Sequence, residues 1–281
     1  MINLLLSFDD AYLGHALDLI HSIILYNDVK LNIFVLYKEL SLESREIFEK
    51  EIDYNIGEVH FIEMEVDDIK LPMYIDHISI TTYYRLFAPY ILDKDIHRIL
   101  YLDTDIICNK DGISDLYNMD FEGNIIIGVE NMIGKYSTYY NRFFNLNIGL
   151  DQNNKYINAG VLLIDLDAYR KFVTKNAIVK FITENYKRIT MQDQDVINKL
   201  FVGKIKIVDN TYNYSINAVD DERVDTDKVF IHYSASAKPW LPKYDSVIKA
   251  KPYFRTLKKL DRLDDNLKRI IEEKNIDLDE H

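Results

Sequence analysis

Only one of the 281 residues is a cysteine, Cys108. No disulfide can close within the chain, which points to a reducing compartment. Positive charge is also short: 34 Lys and Arg stand against 46 Asp and Glu, a formal net charge of −12. That balance argues against binding a nucleic-acid backbone, which needs clustered cations. It leaves room for a nucleotide if a metal and a few local cations meet the phosphates. No apolar run reaches the ~18 residues that a membrane-spanning helix needs. Residues 1–7 lack a basic region and run into Asp9-Asp10 too early for a signal peptide. These absences predict a soluble cytoplasmic protein. Prolines number only five, and there are no internal repeats or low-complexity linkers, so no domain boundary is visible before about residue 245.

What the chain does have is a hydrophobic content of 48%, enough to bury the core of one large domain. It is organised around Arg98-Ile-Leu-Tyr-Leu-Asp103-Thr104-Asp105-Ile-Ile107. A short run of β-branched and aromatic residues reads as a strand buried on both faces. Residues two apart in an extended segment point to the same side, so Asp103 and Asp105 are expected to converge. Two anions ~4 Å apart repel by roughly 1 kcal/mol in water and by several times that when partly buried. A divalent cation with a taste for hard oxygen ligands, magnesium or manganese, removes the penalty. The competing explanations are a solvated turn or a helix cap. A phosphatase of the haloacid dehalogenase type also starts from strand-Asp-x-Asp, but Gly-Thr normally follows there, and Ile106-Ile107 follow here.

Taken in order, residues 2–8 read as a first strand ending at Asp9-Asp10, and 12–26 as a helix with apolar residues at helical spacing. A strand at 32–37, a helix opened by Ser41 with acids in its first turn, and a strand at 58–64 complete a β-α-β-α-β unit. That order implies a parallel sheet and resembles a nucleotide-binding half. Thr81 or Thr82 is a candidate cap for a helix carrying Arg85 one turn in. Strands are expected at 124–129 and 156–166. In the second, Ala159-Gly160 marks either the close approach of a ligand or a tight sheet crossing. One of the polar residues in Met191-Gln-Asp-Gln-Asp-Val-Ile-Asn198 should cap a helix. Residues 210–227 show no period and read as a loop over the site. From Tyr253 on, apolar residues three and four apart alternate with mixed charges, predicting an amphipathic helix peripheral to catalysis. Packing on the domain and docking on a membrane surface are the two readings of its apolar face.

These stretches together resemble the family 8 glycosyltransferases, retaining enzymes that include lipopolysaccharide galactosyl- and glucosyltransferases and glycogenin. The likeness rests on His77-Ile-Ser-Ile-Thr-Thr-Tyr-Tyr-Arg85-Leu86, Leu100-Tyr-Leu-Asp-Thr-Asp105, Asn158-Ala-Gly-Val-Leu-Leu-Ile164, Gln192-Asp-Gln-Asp195 and His232-Tyr-Ser-Ala-Ser-Ala-Lys-Pro-Trp240, in family order. It implies an α/β GT-A (Rossmann-like) domain over 1–245, a helical appendage over 246–281, a UDP-sugar donor and Mn2+, with Mg2+ as the substitute. Asp103, Asp105 and His232 match the family's metal ligands. Ser7, Asp9, Tyr12, Thr104 and Lys238 fall where it holds UDP. Arg85, Asp103, Asn158, Ala159, Asp193 and Gln194 fall where it holds the donor sugar, with Gln194 and Asp193 at the reacting centre. Two residues depart: Ala11 replaces a frequent Asn, and Ala235 a Gly, so the diphosphate turn must avoid positive φ or place a Cβ near the phosphate. The implied activity is retaining transfer of glucose or galactose to a saccharide or glycoconjugate acceptor, as in lipopolysaccharide biosynthesis, at the inner face of the membrane or free in the cytoplasm. The alternatives are a non-catalytic nucleotide-sugar-binding protein of the same fold and a metal-dependent phosphatase or nucleotidyltransferase.

Overall fold

A computed structural model describes residues 1–64, 80–133 and 137–278. His77, Ile78 and Ser79 of the motif before Arg85 lie outside them. The chain opens as β1 (Ile2–Ser7), α1 (Leu13–Tyr26), β2 (Leu31–Tyr37), α2 (Leu42–Glu51) and β3 (Gly57–Glu63). The Ser41 hydroxyl caps α2 by accepting from Ser44 N–H, as its position predicts. Next come α3 (Tyr84–Ile91), β4 (Arg98–Leu102), β5 (Ile106–Cys108), α4 (Ile113–Tyr117), β6 (Ile126–Glu130) and α5 (Thr138–Asn147). Then follow β7 (Ile157–Asp165), α6 (Leu166–Phe172), α7 (Lys175–Asn185), α8 (Gln192–Leu200), β8 (Ile205–Val208), β9 (Tyr214–Ser215) and β10 (Phe230–His232). Two helices close the chain, α9 (Val247–Lys259) and α10 (Asp265–Glu273).

Seven strands form one sheet in the order β3-β2-β1-β4-β7-β6-β8. The β1, β2, β3 and β4 pairings are parallel, as is β6 with β8, and among the described residues only β7 runs antiparallel to its neighbours in this sheet. The α/β class and the parallel first half thus stand as expected. Leu4, Leu5, Leu100 and Leu102 are fully buried, as both-face-covered central strands require. A second sheet, β5-β10-β9, stands against the first. Ile107 and Ile231 of this sheet, with Tyr233 just past β10, share a core with Tyr253, Phe254, Leu257, Leu267 and Ile270 of the C-terminal helices. Tyr233 also accepts from Tyr253 N–H and donates to Lys249 O.

Four local expectations are revised. The stretch 98–107 is not one strand: Thr104 and Asp105 form a turn where the chain leaves the large sheet for the small one. The helix bearing Arg85 is entered through a 3-10 turn, Ile80–Tyr83, and its N-cap position is Tyr83, later than Thr81 or Thr82. No side chain caps α8 from its N-cap Met191. Asp195 reaches back instead, accepting from Thr190 N–H and Met191 N–H at 2.7 and 2.8 Å. Residues 210–227, expected as loop, contain β9 and three 3-10 turns.

Candidate functional site

Strand β7 builds the floor. Its pairing with β6 slips between Gly128 and Val129, so residues 159–161 drop out of that ladder as a bulge. Freed backbone groups need partners, and neighbouring side chains provide them. Gln194 Oε1 accepts from Ala159 N–H at 3.0 Å, Arg85 donates to Ala159 O at 2.7 Å, and Asn158 Oδ1 accepts from Gly160 N–H at 2.9 Å. The small-residue step therefore marks a re-aimed strand to which α3 and α8 are tied.

Asp103 and Asp105 leave the end of β4, and β10 brings His232 beside them. One ligand atom from each of the three lies within 4.8 Å of the others. His232 Nε2 is 3.1 Å from Asp105 Oδ1 and 3.7 Å from Asp103 Oδ2. Asp105 Oδ1 is buried and makes no hydrogen bond. Two carboxylates and an imidazole, one of them carrying an orphan oxygen toward the others, fit a divalent cation of the magnesium or manganese kind.

Around this point charge is arranged in pairs. Lys238 donates to Asp105 Oδ2 and to Tyr233 O. Burial works against the Asp105 charge, but His232 and Lys238 outweigh it and hold the carboxyl well below the usual range. Arg85 lies between two acids, 3.0 Å from Asp103 Oδ1 and 3.1 Å from Asp193 Oδ2. Its guanidinium covers the Tyr101 ring at 4.0 Å. Burial disfavours that cation, yet Asp103 and Asp193 overcome the penalty and raise its pKa further. On Asp193 burial is the largest influence; Arg85 opposes it, Asp103 adds to it, and the carboxyl is pushed up to about 7.

Two cavities of about 370 and 300 Å³ adjoin here. Ser7, Asp9, Tyr12 and Thr104 line the first; Asn158, Ala159, Asp193, Gln194, His232 and Ala235 line the second; Arg85, Asp103 and Asp105 border both. The residues assigned to metal, UDP and sugar in the sequence thus line one cleft, except Lys238, which is buried behind Asp105; Ala11 is not among the lining residues. Ala235 adopts φ +68°, so the turn keeps the left-handed conformation a glycine would take and carries a Cβ there. Three residues escaped the sequence reading: Tyr101, whose hydroxyl donates to Asp103 at 2.6 Å; Asn213, 2.8 Å from His232 Nδ1; and His15, stacked on Trp240 with ring centroids 3.8 Å apart. Tyr101 stood inside the quoted Leu100-Tyr-Leu-Asp-Thr-Asp105 motif, and Trp240, the partner of His15, in Lys-Pro-Trp; Asn213 carried no signal.

Residues 3–243 match the family model described as Glycosyl transferase family 8. The chain is 36% identical to a lipopolysaccharide 1,3-galactosyltransferase of Salmonella typhimurium, over 57% of this chain and 49% of the relative. It is 30% identical to a lipopolysaccharide 1,2-glucosyltransferase of Escherichia coli, over 57% and 50%. The chain thus spans about half the length of these curated relatives. Among solved structures, the galactosyltransferase LgtC in complex with donor and acceptor sugar analogs superposes with a TM-score of 0.77 at 23% identity, over 96% of this chain and all of that one. The fold is that of these GT-A glycosyltransferases.

Proposed function

The chain belongs to glycosyl transferase family 8, and we propose that it transfers a hexose, glucose or galactose, from a UDP-sugar to a saccharide or glycoconjugate acceptor, with retention at the anomeric carbon. The observation that carries this reading is the meeting of Asp103, Asp105 and His232 within 4.8 Å where two cavities adjoin. The lipopolysaccharide glucosyl- and galactosyltransferases it resembles support the hexose and the acceptor class. Asp103, Asp105 and His232 would hold manganese, or magnesium in its place, and the metal would offset charge developing on the departing diphosphate.

The chain's own residues divide the remaining work. Ser7, Asp9, Tyr12 and Thr104 form the UDP side, and Lys238 keeps Asp105 ionised beside the diphosphate. Arg85, Asn158, Ala159 and Asp193 receive the sugar, Asp193 by a charge-assisted hydrogen bond to a hydroxyl. Gln194 keeps one carbonyl lone pair after its bond to Ala159 N–H and stands beside the anomeric carbon. An amide is a poor nucleophile, whereas double displacement calls for a carboxylate. Attack from the face the leaving group departs is therefore the mechanism proposed. Residues 1–245 supply this machinery and the helices over 246–281 back the small sheet. The proposed reaction would run in the cytoplasm or at the inner face of the membrane. Among the described residues no helix is long and apolar enough to cross a membrane.

The test is a screen of UDP-sugars for Mn2+-dependent release of UDP, with and without saccharide acceptors. One hexose donor should stand out. A folded protein that releases phosphate regardless of the sugar, or releases nothing from any donor, would contradict the proposal.

A further inference from the structure

We infer that Asn213 is a positioning residue for the metal centre: it fixes a proton on His232 Nδ1, leaves Nε2 as the ligating nitrogen, and ties that imidazole to Asn158 on the sugar side. The inference rests on the reading of Asp103, Asp105 and His232 as metal ligands. Asn213 is 1% exposed and immediately precedes β9.

A backbone N–H can only donate, and that sets the direction of every bond in the chain of contacts. Gly160 N–H lies 2.9 Å from the Asn158 side chain, so the atom it meets is the carbonyl oxygen. The Asn213 atom 2.9 Å from that same oxygen is then the amide nitrogen. The Asn213 oxygen therefore faces His232 Nδ1, at 2.8 Å, and an acceptor there requires N–H on Nδ1. Nδ1 holds its proton whether the ring is neutral or charged. Nε2 is the one ring nitrogen that can give up a proton for a metal, and it already points at Asp105 Oδ1 and Asp103 Oδ2.

Gly160 closes the remaining freedom. A Cβ at that position would stand 2.4 Å from His232 Cε1, so the glycine's backbone lies against the ring edge between the two nitrogens. The same glycine orients Asn158, so one backbone unit sets both ends of the relay. A hydrogen-bond partner of this kind on the far nitrogen of a ligating His fixes its tautomer, and losing it typically weakens metal binding ~10–100-fold. Asn213 differs from the usual carboxylate partner in having a donor as well as an acceptor, and the donor is what reaches Asn158.

Two measurements decide the matter, neither of them turnover. In 15N-labelled, metal-stripped protein, with His232 assigned by comparison with His232→Gln, the neutral ring should show its proton on Nδ1; a neutral ring protonated on Nε2 overturns the inference. Mn2+ affinity, by EPR titration without nucleotide, should fall ~10–100-fold in Asn213→Ala. In Asn213→Asp, which keeps the acceptor but not the donor, it should stay within about threefold of the parent, while UDP-hexose affinity of the Mn2+-loaded protein falls. Wild-type Mn2+ affinity in Asn213→Ala, or equal loss in both variants, overturns it. Should Asn213→Ala not fold, the wild-type spectrum and Asn213→Asp decide. A wild-type protein that binds no Mn2+ would instead refute the metal reading, and the tautomer would still be read independently.

Discussion

Gly160 stands so close to His232 that an added methyl would lie 2.4 Å from the ring's Cε1 and 2.8 Å from Asp103 Oδ2. The floor of the site is thus a backbone, and two metal-ligand candidates rest on it. Gly160→Ala should cost about 1–3 kcal/mol of stability by overpacking and weaken Mn2+ binding at least tenfold. Denaturant unfolding and EPR titration check this, and a variant that binds Mn2+ as tightly as the parent would show that the floor yields.

Asp105 and Lys238 form a largely buried pair, their side chains 15% and 9% exposed. Removing one partner of such a pair strands the other charge, at a cost of about 3–5 kcal/mol, whereas removing both is far milder. In chelator-treated protein, Asp105→Ala should therefore be strongly destabilised, and Asp105→Ala combined with Lys238→Met should recover most of the loss. Additive costs in the double-mutant cycle would show that the two residues act independently.

His15 gives the fold a pH signature. Burial pushes its imidazole down from 6.5 to about 4, with Asp105 pulling upward and Lys238 downward. Between those values the unfolded chain binds the proton that the folded chain refuses. The stabilisation is full above pH 6.5 and is lost as pH falls through 4, on the order of 2–3 kcal/mol. Wild type should lose that much more stability than His15→Gln between pH 7 and 4. Parallel curves would place the acid sensitivity elsewhere.

How much of this was legible depends on the range of the signal. Asp103 and Asp105 announced themselves because two carboxylates after an apolar run are a local pattern, although a turn and not an extended strand brings them together. The Ala159-Gly160 step was visible as a weakness in a strand, and its meaning, room for His232, needed the third dimension. Asn213 and Tyr101 were hidden: an Asn in a stretch without period and a Tyr inside a buried strand look like loop and core. The role of Asn213 comes from a partner in another element, His232, 19 residues away, and that of Tyr101 from a hydroxyl that reaches Asp103 two residues on, a contact that only the turn after β4 reveals. The missed cap of α8 has the same origin, since Asp195 serves the helix start from inside the helix.

Ala235 invites a gain of function. Its φ of +68° is a conformation that costs a non-glycine residue about 1 kcal/mol, partly offset by the freer unfolded state of a glycine. Ala235→Gly should leave stability within about 1 kcal/mol of the parent and, by removing a Cβ at the cleft, tighten UDP binding measured calorimetrically with Mn2+. Weaker binding would mean that the methyl contacts the ligand favourably.

The central claim, metal-dependent transfer with retention at the cleft of Asp103, Asp105 and His232, is tested most directly by following the reaction of the selected UDP-hexose and acceptor by NMR, with Mn2+ and with chelator. The account predicts a product whose anomeric configuration matches the donor's, formed only when the metal is present, and no glycosyl adduct on Asp193 by mass spectrometry. An inverted product, or equal turnover in chelator, would contradict it.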